Sequence, residues 1–156
     1  MKILKLTKED INEYQQIRDP YILIDGADEV IPGVSAKGYK DLKKDEWFFI
    51  AHWPGDPNMP GMLQVETLVQ MCALSIQSLP GNKGKGVYLV SADKMKFLKK
   101  ITPGVRLNIS TRITSWKRGI GKCYGEIKID KDLACKANFT VVLPSTYNKF
   151  ALKKII

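Results

Sequence analysis

With 156 residues, 44% of them hydrophobic, the chain is long enough for one core and too short for two ordinary domains, so residues 1–156 are read as a single domain. No window approaches the roughly 18 apolar residues of a membrane span, and "MKILKLTKED" turns charged before a signal-peptide core could develop, so a soluble cytoplasmic protein is expected. The formal charge of +9 favours an acidic partner. No helix-turn-helix, zinc-finger or RNP-type pattern accompanies it, so nucleic acid is not the partner the charge points to.

Thr7 followed by Asp10 resembles a capping box and predicts a short helix over 7–17. "YILIDGADEVIPG", "VSAKGYKDL" and "EWFFIAHW" read as extended pieces broken at Asp25-Gly26 and Pro32-Gly33. The chain up to residue 53 is therefore expected to be mostly sheet, with His52 at a strand end. After Pro60-Gly61 the apolar series Leu63, Val65, Leu68, Val69, Met71, Cys72, Leu74 and Ile76 meets no breaker until Pro80-Gly81. That predicts a buried helix of about 19 residues.

Strand character returns in "GVYLVSADKMKFL" and in three long segments, "VRLNISTRITSW", "GKCYGEIKID" and "LACKANFTVVL". They are separated by Pro103-Gly104, Arg118-Gly119 and Asp130-Lys131-Asp132. One long buried helix among long antiparallel strands predicts an α+β domain whose sheet wraps the helix, the hot-dog architecture. "STYNKFALKKII" is left as a C-terminal appendage. Cys72, Cys123 and Cys135 show no CxxC spacing and the chain has a single histidine, so reduced thiols and no metal site are expected.

That histidine heads "HWPGDPNMPGMLQVETLVQ", residues 52–70. Pro54, Pro57 and Pro60 with Gly55 and Gly61 impose a fixed irregular path into the helix. Gly61 lies near the first turn, where unpaired N–H groups and the positive end of the helix dipole can hold an oxyanion. Glu66, in the second turn among Val65, Leu68 and Val69, is expected to have a raised pKa and to act as a proton donor. His52 supplies a base near neutral pH. A base, an acid and an oxyanion site are what β-elimination from a thioester requires. On spacing alone, a structural histidine beside a turn and a salt-bridged glutamate remain open.

The same stretch strongly resembles the signature of the FabZ-type β-hydroxyacyl-acyl-carrier-protein dehydratases, His-Phe-Pro-Gly-x-Pro-x-Met-Pro-Gly followed by a helix bearing Glu-Ala and a nearby Gln. "DPYILID", "SADKMKFLKKITPGVRL" and "RGIGKCYGEIKID" resemble further family segments, so the likeness spans nearly the whole chain. It implies dehydration of (3R)-hydroxyacyl chains carried on the phosphopantetheine arm of an acidic acyl carrier protein, without cofactor or metal. It also implies a homodimer, or a trimer of dimers, in which His52 of one subunit faces Glu66 of the other and the Gly61 amide polarises the thioester carbonyl. Phe97 matches a family phenylalanine near the acyl tunnel, with core packing an equal reading. Trp53, Thr67 and Lys96 stand where the family has Phe, Ala and Arg, and Ile17-Arg18-Asp19 where it has His-Arg-Tyr.

Related dehydratase-isomerases carry Asp where this chain has Glu66. Enoyl-CoA hydratases place an aspartate before the histidine, and hot-dog thioesterases usually lack the His and Glu pair. A non-catalytic hot-dog protein that binds an acyl carrier or lipid is the rival of another class. Lys94, Lys96, Lys99 and Lys100 form the densest basic cluster and are the candidate carrier-docking residues.

Overall fold

The computed structural model describes residues 1–151. The elements run β1 (Leu4–Leu6), α1 (Lys8–Tyr14), β2 (Gly26–Ile31), β3 (Ser35–Asp41), α2 (Trp47–Ala51), α3 (Gly61–Gln77), β4 (Tyr88–Phe97), β5 (Arg106–Lys117), β6 (Ile120–Ile129), β7 (Asp132–Val142) and α4 (Pro144–Ala151). The seven strands form one antiparallel sheet in the order β1-β2-β3-β5-β6-β7-β4. This is the α+β hot-dog arrangement, with α3 packed on the sheet.

The long strands alternate as a half-buried sheet should. Leu107, Ile109 and Thr111 of β5 turn inward, as do Cys123 and Ile127 of β6 and Ala137, Phe139 and Val141 of β7. Against them α3 presents Leu68, Met71 and Cys72, all fully buried. A buried Leu or Met side chain contributes about 1.5–3 kcal/mol. Two glycines let the helix lie this close. A Cβ on Gly38 of β3 would come within 2.7 Å of the Met71 Cε methyl, and one on Gly125 of β6 within 3.0 Å of Leu68. The helix is buried almost all round, so its polar members bond locally: Thr67 Oγ1 donates to the Leu63 carbonyl and Ser75 Oγ to that of Cys72.

The capping box is present at α1, with Thr7 and Asp10 bonding reciprocally, but the helix ends at Tyr14. "EWFFIAHW" is not a strand: Trp47–Ala51 is a short helix and His52 is its C-cap. The aromatic run has β propensity, yet Phe48 and Phe49 are both buried, and consecutive inward residues cannot lie on one face of a strand. "YILIDGADEVIPG" becomes a strand only from Gly26. Ile22, Leu23 and Ile24 before it are all buried, and the Leu23 N–H donates to Gln70 Oε1 of α3 instead of to a neighbouring strand. Part of the C-terminal appendage is the helix α4, and residues 152–156 lie outside those described.

Candidate active site

His52 leaves α2 with its backbone N–H still bonded to the Phe48 carbonyl. Its Nδ1 lies 2.9 Å from the Asn58 carbonyl oxygen. A carbonyl only accepts, so Nδ1 carries the proton. The other nitrogen, Nε2, accepts the indole N–H of Trp53 at 3.2 Å. The ring is thereby held as the neutral tautomer whose lone pair sits on Nε2, the form a general base needs. Trp53 reaches it from a left-handed backbone, φ 61°, a conformation that costs a non-glycine residue energy and is held here by its surroundings.

The proline-rich segment is pinned at several points. Asp56 N–H donates to the Trp53 carbonyl, Met59 N–H to that of Ile101, and Gln64 Nε2 to that of Met59. Lys100 pairs with Asp56 at 2.6 Å. The segment delivers the chain to α3, whose N-cap Pro60 offers no side-chain cap. The Pro60 carbonyl takes the N–H groups of Leu63 and Gln64, leaving those of Gly61 and Met62 without an acceptor among the described residues. The Phe97 ring covers this turn, 3.0 Å from where a Gly61 Cβ would be.

Glu66 faces away from the sheet and is partly buried. Burial raises its carboxyl above the usual carboxylate range, partly opposed by the hydrogen bond it accepts from Gln70 Nε2 at 3.1 Å. Gln70 is itself fixed: Nε2 also donates to the Tyr21 carbonyl, and Oε1 accepts from Leu23. The carboxyl opens on a cavity of about 350 Å³ walled by Val69, Gln70 and Ala73 of α3, Ile17 after α1, Val87 just before β4 and Tyr88 at its start.

Within one chain the structure brings Gly61 and Phe97 together but not His52 and Glu66. His52 is not among the residues lining the Glu66 cavity, and no hydrogen bond joins the two among the described residues. The Asn58 carbonyl escaped the sequence reading because a backbone contact leaves no residue-type signal. Gln70, one turn after Glu66, was legible as an i, i+4 partner.

A family model described as a FabA-like domain matches residues 19–138. The 3-hydroxyacyl-acyl-carrier-protein dehydratase FabZ of Syntrophomonas wolfei is 38% identical over 143 residues, covering 92% of this chain and 99% of the relative. That of Natranaerobius thermophilus is 37% identical over 138 residues, covering 86% and 97%. Among solved structures, the dehydratase heterocomplex ApeI:P of Xenorhabdus doucetiae superposes with a TM-score of 0.75 at 14% identity, covering 90% of this chain and 96% of that one, a likeness of fold.

Proposed function

The chain belongs to the FabA-like family, and from that premise we propose that it dehydrates (3R)-hydroxyacyl thioesters of an acyl carrier protein to trans-2-enoyl thioesters in acyl-chain biosynthesis. The observation that carries the reading is the pairing of opposite preparations. His52 is held neutral with its lone pair on Nε2, and Glu66 is held by burial toward its protonated form.

His52 Nε2 takes the α proton, for which the Trp53 indole has to yield its place. The electrons move into the thioester carbonyl, whose oxygen is met by the uncapped Gly61 N–H and the positive end of α3. Collapse of the enolate expels the β-hydroxyl, which leaves as water with the Glu66 proton. Passing the abstracted proton from His52 to Glu66 resets the site. Gln70 keeps the Glu66 carboxyl aimed, and the cavity behind it takes the acyl chain. Nothing in these steps calls for a metal or redox cofactor; the substrate arrives on the phosphopantetheine arm of its carrier in the cytoplasm.

The separation of His52 from the Glu66 cavity supports a homodimer in which each site takes one residue from each chain. So does β4, an edge strand bonded only to β7, with Tyr88, Val90, Phe97 and the following Leu98 exposed. An apolar edge of this kind favours pairing with a second copy. The likeness to the family carries the further step to a trimer of dimers.

The test is formation of the enoyl product from a carrier-linked 3-hydroxybutyryl thioester. Turnover by the wild type that falls about 10²- to 10⁴-fold in His52→Ala supports the reading. Binding of the thioester without turnover by the wild type favours a non-catalytic acyl-binding protein.

A further inference from the structure

The sheet has a second face, turned away from α3, and one corner of it carries a chemistry that the elimination does not use. On β6, Cys123 and Ile127 point inward, so the alternation turns Ile120 and Lys122 outward. Lys117 of β5 lies opposite Ile120, and Ser115 opposite Lys122, which places both lysines on that outer corner. Arg118 and Gly119 make the turn between the two strands, both with positive φ. The helix α4 is seated on this turn: the Leu143 N–H donates to the Gly119 carbonyl at 2.8 Å, and a Cβ on Gly119 would lie 2.6 Å from the Tyr147 nitrogen.

Between α4 and the outer corner lies a cavity of about 520 Å³ whose walls include Lys117, Arg118, Ile120, Lys122, Tyr147 and Phe150, with no residue in common with the Glu66 cavity. None of its three cations forms an ion pair among the described residues. Ile120, Tyr147 and Phe150 are 38%, 42% and 41% exposed, and the Arg118 guanidinium lies 5.9 Å from the centre of the Phe150 ring. Cations and aromatic rings therefore share one open surface. The sequence carries the same character onward, since residues 147–156 hold Lys149, Lys153 and Lys154 among mainly apolar neighbours and no acidic residue.

We propose that this corner docks on an anionic lipid bilayer. Phosphate headgroups meet Lys117, Arg118 and Lys122, while Tyr147 and Phe150 enter the boundary between headgroups and acyl chains, where aromatic side chains settle. An acidic protein would also satisfy the cations. It is the weaker match, because a run that is basic and apolar without acids, as in residues 147–156, has the composition of a membrane-surface segment.

The test sediments the full chain with vesicles of phosphatidylcholine alone and of phosphatidylcholine mixed with phosphatidylglycerol. Binding is expected to the mixed vesicles only and is reversed by salt. It should weaken at least about tenfold in Lys117→Glu with Lys122→Glu, and weaken also in Phe150→Ser. Lys2→Glu with Lys131→Glu makes the same change of charge on other exposed positions and should cost less than about threefold. Lys117→Gln with Lys122→Gln supplies the comparison should the glutamate pair not melt like wild type. No binding to the mixed vesicles, equal binding to both kinds, or equal losses in the two lysine-to-glutamate pairs overturns the proposal. Loss of carrier-protein binding in Lys117→Glu with Lys122→Glu, with no vesicle binding by the wild type, overturns it in favour of an acidic protein.

Discussion

Phe97 and Gly61 are matched in space: any Cβ at position 61 would sit 3.0 Å from two carbons of the Phe97 ring, although the residues are on different elements. Gly61→Ala keeps the backbone N–H but forces the ring aside. It is expected to lower kcat/KM by roughly tenfold to a hundredfold, the scale of a misplacement near the reacting atoms. Adding Phe97→Leu should recover part of the loss, because the two changes meet at one contact. A double variant no better than the product of the singles would show that the ring does not matter to the turn.

His52→Ala and Glu66→Gln are each expected to fold and to lose about 10²- to 10⁴-fold in turnover, the usual worth of a positioned proton-transfer group. Trp53→Phe removes the indole N–H that occupies His52 Nε2 but leaves the Asn58 contact. It should therefore retain dehydration within about tenfold of wild type. A loss as deep as that of His52→Ala would make the indole part of the chemistry.

Glu66 also makes a prediction about stability. Its folded pKa is raised by burial, so the folded state holds this proton more tightly than the unfolded chain does. The favourable contribution is fully present below the unfolded carboxyl pKa and is lost as pH rises through the folded one. Glu66→Gln should then melt at a higher temperature than wild type at neutral pH, and the gap should close on acidification below the ordinary carboxylate range. Thermal melts across pH measure it, and a Glu66→Gln variant less stable than wild type at neutral pH would contradict it.

The helix of residues 61–77 and the four long strands were legible because their periodicity is long and their Pro-Gly and Asp-rich breaks are sharp. The site was legible as residue types, since His52, Gly61 and Glu66 fall in one continuous stretch. Where pattern and packing compete, the sequence misleads. Phe48 and Phe49 favour a strand by type but are both drawn inward as a helix, which turns His52 from a strand end into a helix cap. The tautomer of His52 depends on a carbonyl six residues away, and the aim of Glu66 on Gln70 bonds to Tyr21 and Leu23, contacts that no local pattern encodes.

The thiols should be inert in the native state. All three cysteines are buried and free. Burial pushes Cys135 up to about 11. Cys123 is raised by its hydrogen bond with Cys72 and then by burial. Titration with an aromatic disulfide at mildly alkaline pH should find no reactive thiol until denaturant is added, whereupon three react. Rapid native labelling would show the core around β6 and β7 to be open.

The basic cluster is only partly free. Lys99 pairs with Asp132 and Lys100 with Asp56, whereas Lys94 and Lys96 form no ion pair among the described residues. Lys94→Glu with Lys96→Glu should raise KM for a carrier-linked substrate by roughly tenfold at low salt, and wild-type KM should rise with ionic strength. The same substrate on free pantetheine should show neither effect. Equal effects on both substrates would remove the carrier from the explanation.

Sharing of each site between two subunits is tested most directly by mixing. Inactive His52→Ala and inactive Glu66→Gln chains are dissociated together and allowed to reassociate, and mixed dimers are counted by native mass spectrometry. If His52 of one chain works with Glu66 of the other, each mixed dimer holds one doubly altered site and one intact site. Random pairing then restores roughly a quarter of wild-type sites, given two-fold symmetry. If both residues act within one chain, every site keeps one lesion. Activity near that quarter is the predicted result, and no recovery with mixed dimers present would contradict the shared site.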